Sequence, residues 1–450
     1  MEEINNEKIP WINILSAWSG WLIDGFVSLT YVLTIVSNPA ILSIFFPNSA
    51  FLGLGFLFST LGFALSGGIA RFVGSAIMGN FIGDKIGRRT MLIISVPIFS
   101  FANFLIFFVP GFSLIGYLSP IIIYVIAFIV GFFAGAEYGG GTALSLESVP
   151  AKKRLWVGAF VQSGFGMGFV LIALVSFFLS NSMNPGYYVS YGFRYLFLLS
   201  IIPGVISLFL RYNSTETEVF SDMVKKKGTV KVPLLSMIFS KGSDSFKQFL
   251  ILIIIIGGLL TVNTATFSFY ANVLIHDNFA AGFAKYIFIY IMIINAISIV
   301  GVFFGAFISS VLVLRKRSIF ILSLVFLIIT VPVEIFAISS NPYLTVTALS
   351  IQAFFEAAIF SVIPIFLAEK FSKKFRTTGI GIIYNVGSTI GALGLTYIAI
   401  ADVFFKNFVG SWLIVTVIGA IVLLIGTAMT RETLTEIDLD KKNIIDPITQ

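Results

Sequence analysis

Residues 83–89 read Gly-Asp-Lys-Ile-Gly-Arg-Arg, and this polar stretch lies between two long apolar segments. It carries four charged side chains, each of which would cost ~2.5–3.5 kcal/mol at the centre of a bilayer. Gly83 and Gly87 allow the backbone to turn between two helix ends, and Asp84 can pair with Arg88 or with free backbone groups at a helix terminus. The stretch therefore predicts a tight loop at a membrane face.

The composition is that of a chain surrounded by lipid. Of the 450 residues, 58% are hydrophobic and 11% are charged, whereas soluble domains carry about 25% charged residues. Cysteine is absent and His276 is the single histidine, which excludes disulfides, cysteine nucleophiles and multi-histidine metal sites. No phosphate-binding Gly-x4-Gly-Lys-Ser/Thr loop occurs. We expect no metal, no cofactor, no nucleic-acid partner and no enzymatic activity.

Twelve apolar segments are long enough to cross a bilayer, in two sets of six. They are residues 12–36, 52–81, 90–110, 117–144, 155–180 and 191–211, then 247–272, 283–313, 318–338, 343–369, 377–401 and 409–430. The sequence thus predicts an all-α membrane protein with twelve transmembrane helices in two pseudo-symmetric halves. The predicted units are a first half (1–211), a cytoplasmic linker (212–246), a second half (247–430) and a tail (431–450).

The cationic residues are divided unevenly between the two faces of the predicted bundle. Only Arg71, Arg194, Lys285 and Lys406 lie within the spans or on the face opposite the N-terminus, and the other 24 of the 28 Lys and Arg residues lie on the N-terminal side. Cytoplasmic loops of membrane proteins carry an excess of Lys and Arg. Both termini and the linker are therefore predicted to face the cytoplasm, in a multi-pass protein of the cell membrane.

Two predicted cytoplasmic loops share one spacing. Six residues separate Glu147 from Arg154, and six separate Glu369 from Arg376, 222 residues further along. One such pair is explained by chance at a helix end, but two in register indicate a parallel repeat, whose halves can rock about a central site. We expect the pairs Asp84–Arg88, Glu147–Arg154 and Glu369–Arg376 to form a cytoplasmic gate. The gate residues are Gly83, Asp84, Gly87, Arg88, Arg89, Glu147, Arg154, Glu369 and Arg376.

Several motifs resemble a known family. Residues 83–89, after the second span, resemble the loop between helices 2 and 3 of the major facilitator superfamily. Residues 135–168 and 191–220 resemble its metabolite:proton symporters, and residues 20–26, with Gly20-Trp21 and Asp24-Gly25-Phe26, resemble the related sialate and lactate symporters. The resemblance implies the major facilitator fold and a monomeric secondary transporter. It also implies proton-driven uptake of a small carboxylate or zwitterion across the lipid bilayer.

Two other functions stay open from the sequence. A proton-antiporting exporter would have the same fold, because the fold alone does not set the direction of transport. A membrane-embedded sensor would need a large soluble domain, and no segment of this sequence reads as one.

Four ionisable residues lie well inside the predicted spans, where such groups are functional by default. Asp24 and Arg71 both fall near mid-depth and can pair. Either they form a static salt bridge, or Arg71 anchors a substrate carboxylate while Asp24 carries an exchangeable proton. Glu137, which begins a Glu-Tyr-Gly-Gly-Gly run, is assigned to gating or coupling, and Glu356 is a second candidate proton carrier.

Six further polar residues in the spans are candidates for lining a cavity. Each could instead make a hydrogen bond between helices. They are Gln162, Asn263, Thr264, Thr266, Tyr384 and Asn385.

Overall fold

The structure is a computed structural model that describes residues 9–47, 54–83, 85–216, 221, 243–275, 286–339, 341–371 and 376–433. Three residues discussed above, Asp84, His276 and Lys285, lie outside the described residues. So do most of the predicted linker and most of the tail, and the division into these units therefore stays a prediction.

In the described part of the chain every regular element is a helix, and twelve helical spans are long and apolar enough to cross a membrane. This confirms the predicted fold class. The spans are α1 Trp11–Val36, α2 Phe56–Gly83, α3 Arg88–Phe108, α4 Leu118–Glu147, α5 Ala151–Ser182, α6 Arg194–Asn213, α7 Phe246–Ile275, α8 Ile287–Leu312, α9 Arg315–Ala337, α10 Pro342–Lys370, α11 Arg376–Phe405 and α12 Phe408–Met429.

An even number of spans places both chain ends on one face of the bundle, which we call the terminal face. On the opposite face, asparagines in short loops fix where helices begin. The Asn341 side chain accepts a hydrogen bond from the backbone N–H of Tyr343 and caps α10, with Pro342 at the first helical position. Asn407 caps α12 in the same way through Gly410.

Two interruptions in the helices matter for the site. Helix α7 is broken at residues 267–269 and resumes as the short helix Tyr270–Ile275. In α2 a π-helical segment, Leu65–Ala70, directly precedes Arg71. Such local departures from α-helical geometry re-aim side chains and are frequent at functional sites.

The two halves meet along two seams. Helix α5 packs against α8 and α10, and α11 packs against α2 and α4. Glycines permit the close approach of α11: a Cβ atom added at Gly139 would lie 2.9 Å from the Cα of Gly381, and one added at Gly68 would lie 2.9 Å from the Cα of Thr389. The seams leave a space at the centre, between the halves.

Candidate functional site

A cavity with about 1210 Å³ of empty space, including its part open to solvent, lies between the two halves. Its wall is formed by α1 to α5 of the first half and by α7, α8, α10 and α11 of the second. Most of the wall surface is apolar, with polar side chains from both halves set within it, and pockets that bind small molecules are also lined mainly by apolar groups. The polar wall residues are Ser28, Ser66, Arg71, Asn103, Gln162, Asn263, Thr264, Ser268, Asn295, Ser298, Glu356 and Ser388, together with the phenols of Tyr31 and Tyr384.

Arg71 is paired with Asp24 and reaches the cavity wall. The guanidinium makes a bidentate contact with the carboxylate, with Nη1 donating to Oδ2 at 2.8 Å and Nη2 donating to Oδ1. Arg71 is 8% exposed and Asp24 is 1% exposed, and of the two only Arg71 lies on the described wall. Arg71 is therefore the member of the pair that borders the cavity.

Glu356 lies on the part of the cavity wall formed by the second half, at the middle of α10. Its Oε1 accepts a hydrogen bond of 3.0 Å from Nδ2 of Asn263 on α7. The cavity wall thus carries a cation of the first half and an acid of the second half.

The other cavity candidates divide into two groups. Gln162, Asn263, Thr264 and Tyr384 lie on the described wall. Thr266 and Asn385 are placed elsewhere in the described structure: the Thr266 hydroxyl donates to a carbonyl of its own helix, and the Asn385 amide donates to the carbonyl of Gly135 at 3.0 Å, across the seam between the halves.

An aromatic cluster borders the cavity, and Trp21, Phe165 and Tyr384 lie on the cavity wall. The rings of Tyr138 and Tyr384, one from each half, are stacked with centroids 3.5 Å apart. The Trp21 ring lies 5.0 Å from that of Tyr138 and 5.2 Å from that of Phe165. The stacked tyrosines thus join the two halves beside the cavity.

Glu147 links the two halves at the terminal face. Its carboxylate pairs with Arg88 at the start of α3 and, at 3.2 Å, with Arg376 at the start of α11. The Nε of Arg88 donates to the Thr377 hydroxyl at 2.8 Å, which adds a second link to α11. One acid of the first half is thus shared between a cation of each half.

The repeat predicted from the two loops also appears in the geometry. The Nε of Arg154 donates to the carbonyl of Leu146 at 3.0 Å, and that of Arg376 donates to the carbonyl of Ala368 at 3.2 Å, each reaching back eight residues. Arg315 at the start of α9 lies beside Glu369, just as Arg88 lies beside Glu147. The described ion pairs of these two acids therefore reach other helices.

A second repeated contact ties the end of each half to its third helix. The backbone N–H of Arg89 donates to the Glu216 carboxylate at 3.1 Å, and that of Lys316 donates to the Glu432 carboxylate at 2.8 Å. Carboxylates at helix N-termini satisfy free N–H groups and interact well with the helix dipole. Before α3 the chain turns at Gly87, whose φ of +139° is a conformation that disfavours residues with a Cβ.

Glu137 pairs with a cation that sequence reasoning missed. The Nη2 of Arg211 lies 2.5 Å from its Oε1, and the Arg211 guanidinium also donates to the carbonyl of Leu92 at 2.9 Å. Arg211 is fully buried. From its position near the end of α6, Arg211 counts among the 24 basic residues on the N-terminal side, from which the orientation is predicted. Glu137 itself could have indicated such a partner in the sequence, because a carboxylate buried in a span needs a cation beside it.

Comparison with known proteins identifies the family. A family model described as Major Facilitator Superfamily matches residues 14–333. The inner membrane metabolite transport protein YhjE of Escherichia coli K12 is 27% identical over 339 residues, which are 74% of this chain and 74% of that protein. The shikimate transporter of the same strain is 27% identical over 418 residues, covering 88% of each chain.

Solved structures share the fold. The proton:xylose symporter XylE, bound to 6-bromo-6-deoxy-D-glucose, aligns with a TM-score of 0.71 at 17% sequence identity, over 96% of this chain and 99% of that chain. These relatives are transporters, in agreement with the prediction that the chain is not an enzyme. The chain belongs to the major facilitator superfamily and is a multi-pass membrane transporter.

Proposed function

We propose that this transporter takes up a small organic acid together with protons, by alternating exposure of the cavity between its halves. The observation that carries the proposal is the charge on the cavity wall. Among the described wall residues, Arg71 is the one cation and Glu356 the one carboxylic acid. A guanidinium offers a fork of donors that matches a carboxylate, and the shikimate transporter among the relatives is named for a carboxylic acid.

Substrate binding and proton binding are linked through Asp24. Asp24 neutralises Arg71 through their bidentate contact. A substrate carboxylate that takes over the Arg71 contact leaves Asp24 without its cation, and a buried carboxyl without a cation is held at lower cost when protonated. Glu356, whose described partner is a neutral amide, is the second candidate carrier. The rival interpretation is that Asp24 and Arg71 form a static salt bridge. We propose that the carrier acts as a monomer, because the helices of one chain form the whole described cavity wall.

Proteoliposomes with an imposed pH gradient test the proposal. Purified protein is first screened by thermal shift against small carboxylates and zwitterions, with shikimate as one probe, and compounds that stabilise it are used in labelled form. We expect accumulation inside vesicles whose exterior is more acidic, and loss of accumulation when a protonophore is added. Exchange of protons for substrate in the opposite direction would instead identify an antiporting exporter, and the absence of any flux would contradict transport of these compounds.

We propose that the Glu147 network, which consists of Glu147, Arg88 and Arg376, acts as a cytoplasmic gate. It would close the terminal face while the cavity faces outward. Glu147→Gln removes the charge shared by Arg88 and Arg376. Breaking a buried pair costs ~3–5 kcal/mol, and the two states of a carrier differ by only a few kcal/mol. We expect the uptake rate to fall roughly tenfold or more, with substrate affinity within a few-fold of wild type, as measured by initial rates and equilibrium binding.

Glu432→Gln is the matched control, because Glu432 also lies at the terminal face but caps α9 within the second half. It should leave the uptake rate nearly unchanged. Equal rates for Glu147→Gln and wild type would refute a gating role for the network. Asp84, the remaining acid of the predicted gate, lies outside the described residues.

We propose further that the protein lies in the cell membrane and that both of its termini face the cytoplasm. The chain contains no cysteine, so single cysteines can be placed without other changes. Lys406→Cys should react with an impermeant maleimide in intact cells, and Lys226→Cys should react only after the cells are permeabilised. The reverse pattern would overturn the orientation.

A further inference from the structure

The second half contains a buried acid to which the transport mechanism above gives no role. Glu334 lies in α9, three residues before its end at the face opposite the termini, and it is 0% exposed. Its Oε1 accepts a hydrogen bond of 2.8 Å from Nε2 of Gln352 on α10, and its Oε2 has no described hydrogen-bond partner. The Thr416 hydroxyl of α12 also lies near the carboxyl, but it donates to the carbonyl of Trp412. Both Gln352 and Thr416 are neutral.

This arrangement differs from the acids buried in the first half. Asp24 has Arg71, and Glu137 has Arg211. Among the residues that the structure describes, no ion pair includes Glu334 or Glu356. Asp24 and Glu137 of the first half therefore have cationic partners, whereas Glu334 and Glu356 of the second half bond to uncharged amides.

The helices packed around Glu334 place no cation near it, because the Lys and Arg residues of α9 and α10 lie at the ends of these helices at the terminal face. Helix α9 packs against α8, α10 and α12, and α8 and α12 contain no Asp, Glu, Lys, Arg or His. Helix α10 contributes Glu356, with Glu369 and Lys370 at its far end. Tyr270 of α7 is a titratable neighbour of both Glu334 and Glu356.

A hydrogen-bonded bridge connects Glu334 to the break in α7. The Tyr270 hydroxyl donates to Oε1 of Gln352 at 3.2 Å, and Nε2 of Gln352 donates to Glu334. Tyr270 is the first residue of the short helix that follows the break at 267–269. The short helix Tyr270–Ile275 is thus linked to Glu334 through Gln352.

We propose that Glu334 is a further proton-binding site of the transporter, filled and emptied from the face opposite the termini when the short helix Tyr270–Ile275 moves. The proposal rests on the proton-coupled transport proposed above. Its physical basis is that an acid buried among neutral groups costs least in its protonated form. Exposure lets the proton pass from the carboxyl oxygen to water, and closure requires its return. No other bond changes.

Infrared spectroscopy of the purified transporter in lipid tests this without any substrate, because the C=O stretch of a protonated carboxyl lies apart from the carboxylate bands. We expect wild-type protein at neutral pH to show protonated-carboxyl absorption, part of which disappears in Glu334→Gln and declines in wild type as the pH rises. Asp402→Asn, which removes an acid near the same face, should leave that component unchanged.

Gln352→Met provides a second infrared test, in which the Glu334 carboxyl is kept and its hydrogen-bond donor is removed. Loss of the amide donor should shift the frequency of the component assigned to Glu334 without abolishing it.

Two outcomes would overturn the proposal. Identical protonated-carboxyl absorption in wild type and Glu334→Gln at every pH would mean that Glu334 is ionised. A Glu334 component that stays constant over the whole pH range of the folded protein would mark a permanently protonated structural group. Neither outcome depends on flux, so both are distinguishable from failure of the proposed transport activity, which would appear as absent gradient-driven uptake.

Discussion

Arg71→Ala is expected to reduce substrate binding at least about 100-fold and to abolish exchange across the membrane. Arg71 is the one cation among the described cavity-wall residues, and a carboxylate without a cation in a largely apolar cavity is costly. A loss of ~3 kcal/mol corresponds to about 100-fold in affinity. Equilibrium binding and counterflow measure the two effects. Arg71→Lys should restore only part of the binding, because an ammonium lacks the planar fork.

The static salt-bridge interpretation makes a different prediction for the same residue pair. It requires Arg71→Ala and Asp24→Asn to unfold at lower temperature, because each leaves a buried charge unpaired. It also requires the apolar double variant Asp24→Leu/Arg71→Met to recover both stability and transport. If Arg71 anchors the substrate, the double variant recovers stability but not binding. Wild-type transport by the double variant would show that the pair is structural.

The twelve spans could be predicted because hydrophobic length is a local property of the sequence. The partners of the gate residues could not be predicted in this way. Glu147 and Arg376 are 229 residues apart, and their contact depends on how α4 and α11 pack along the seam between the halves. The loop repeat identified both residues as a matched set, yet it suggested partners within each loop.

Depth along a single helix was a poor guide to burial. Arg211 and Glu334 lie two and three residues from the ends of their spans, which indicated positions near the membrane surface, yet both are fully buried. Their burial is set by neighbouring helices: Arg211 reaches α3 and α4, and Glu334 reaches α10. The four-residue spacing of Gln352 and Glu356 places both on one side of α10, but only the structure shows that Gln352 bonds to α9.

Asp24→Asn is expected to separate exchange from accumulation. Asparagine mimics the protonated carboxyl, so the loaded carrier can still move between its two states and exchange substrate. It cannot release a proton, and so a pH gradient has no means of driving substrate uphill. We expect counterflow to persist and gradient-driven uptake to stop when the inside concentration equals that outside. Thermal unfolding of the same preparation establishes that the variant is folded.

Glu356→Gln is the matched comparison, because it neutralises the other acid next to the cavity while keeping a carbonyl oxygen that can accept from Asn263. If Asp24 carries the proton, Glu356→Gln should still concentrate substrate in response to the gradient. Accumulation by Asp24→Asn together with its loss in Glu356→Gln would transfer the coupling role to Glu356. Because Arg71 compensates Asp24 and no described cation pairs with Glu356, that result would also place coupling in the second half and substrate anchoring in the first.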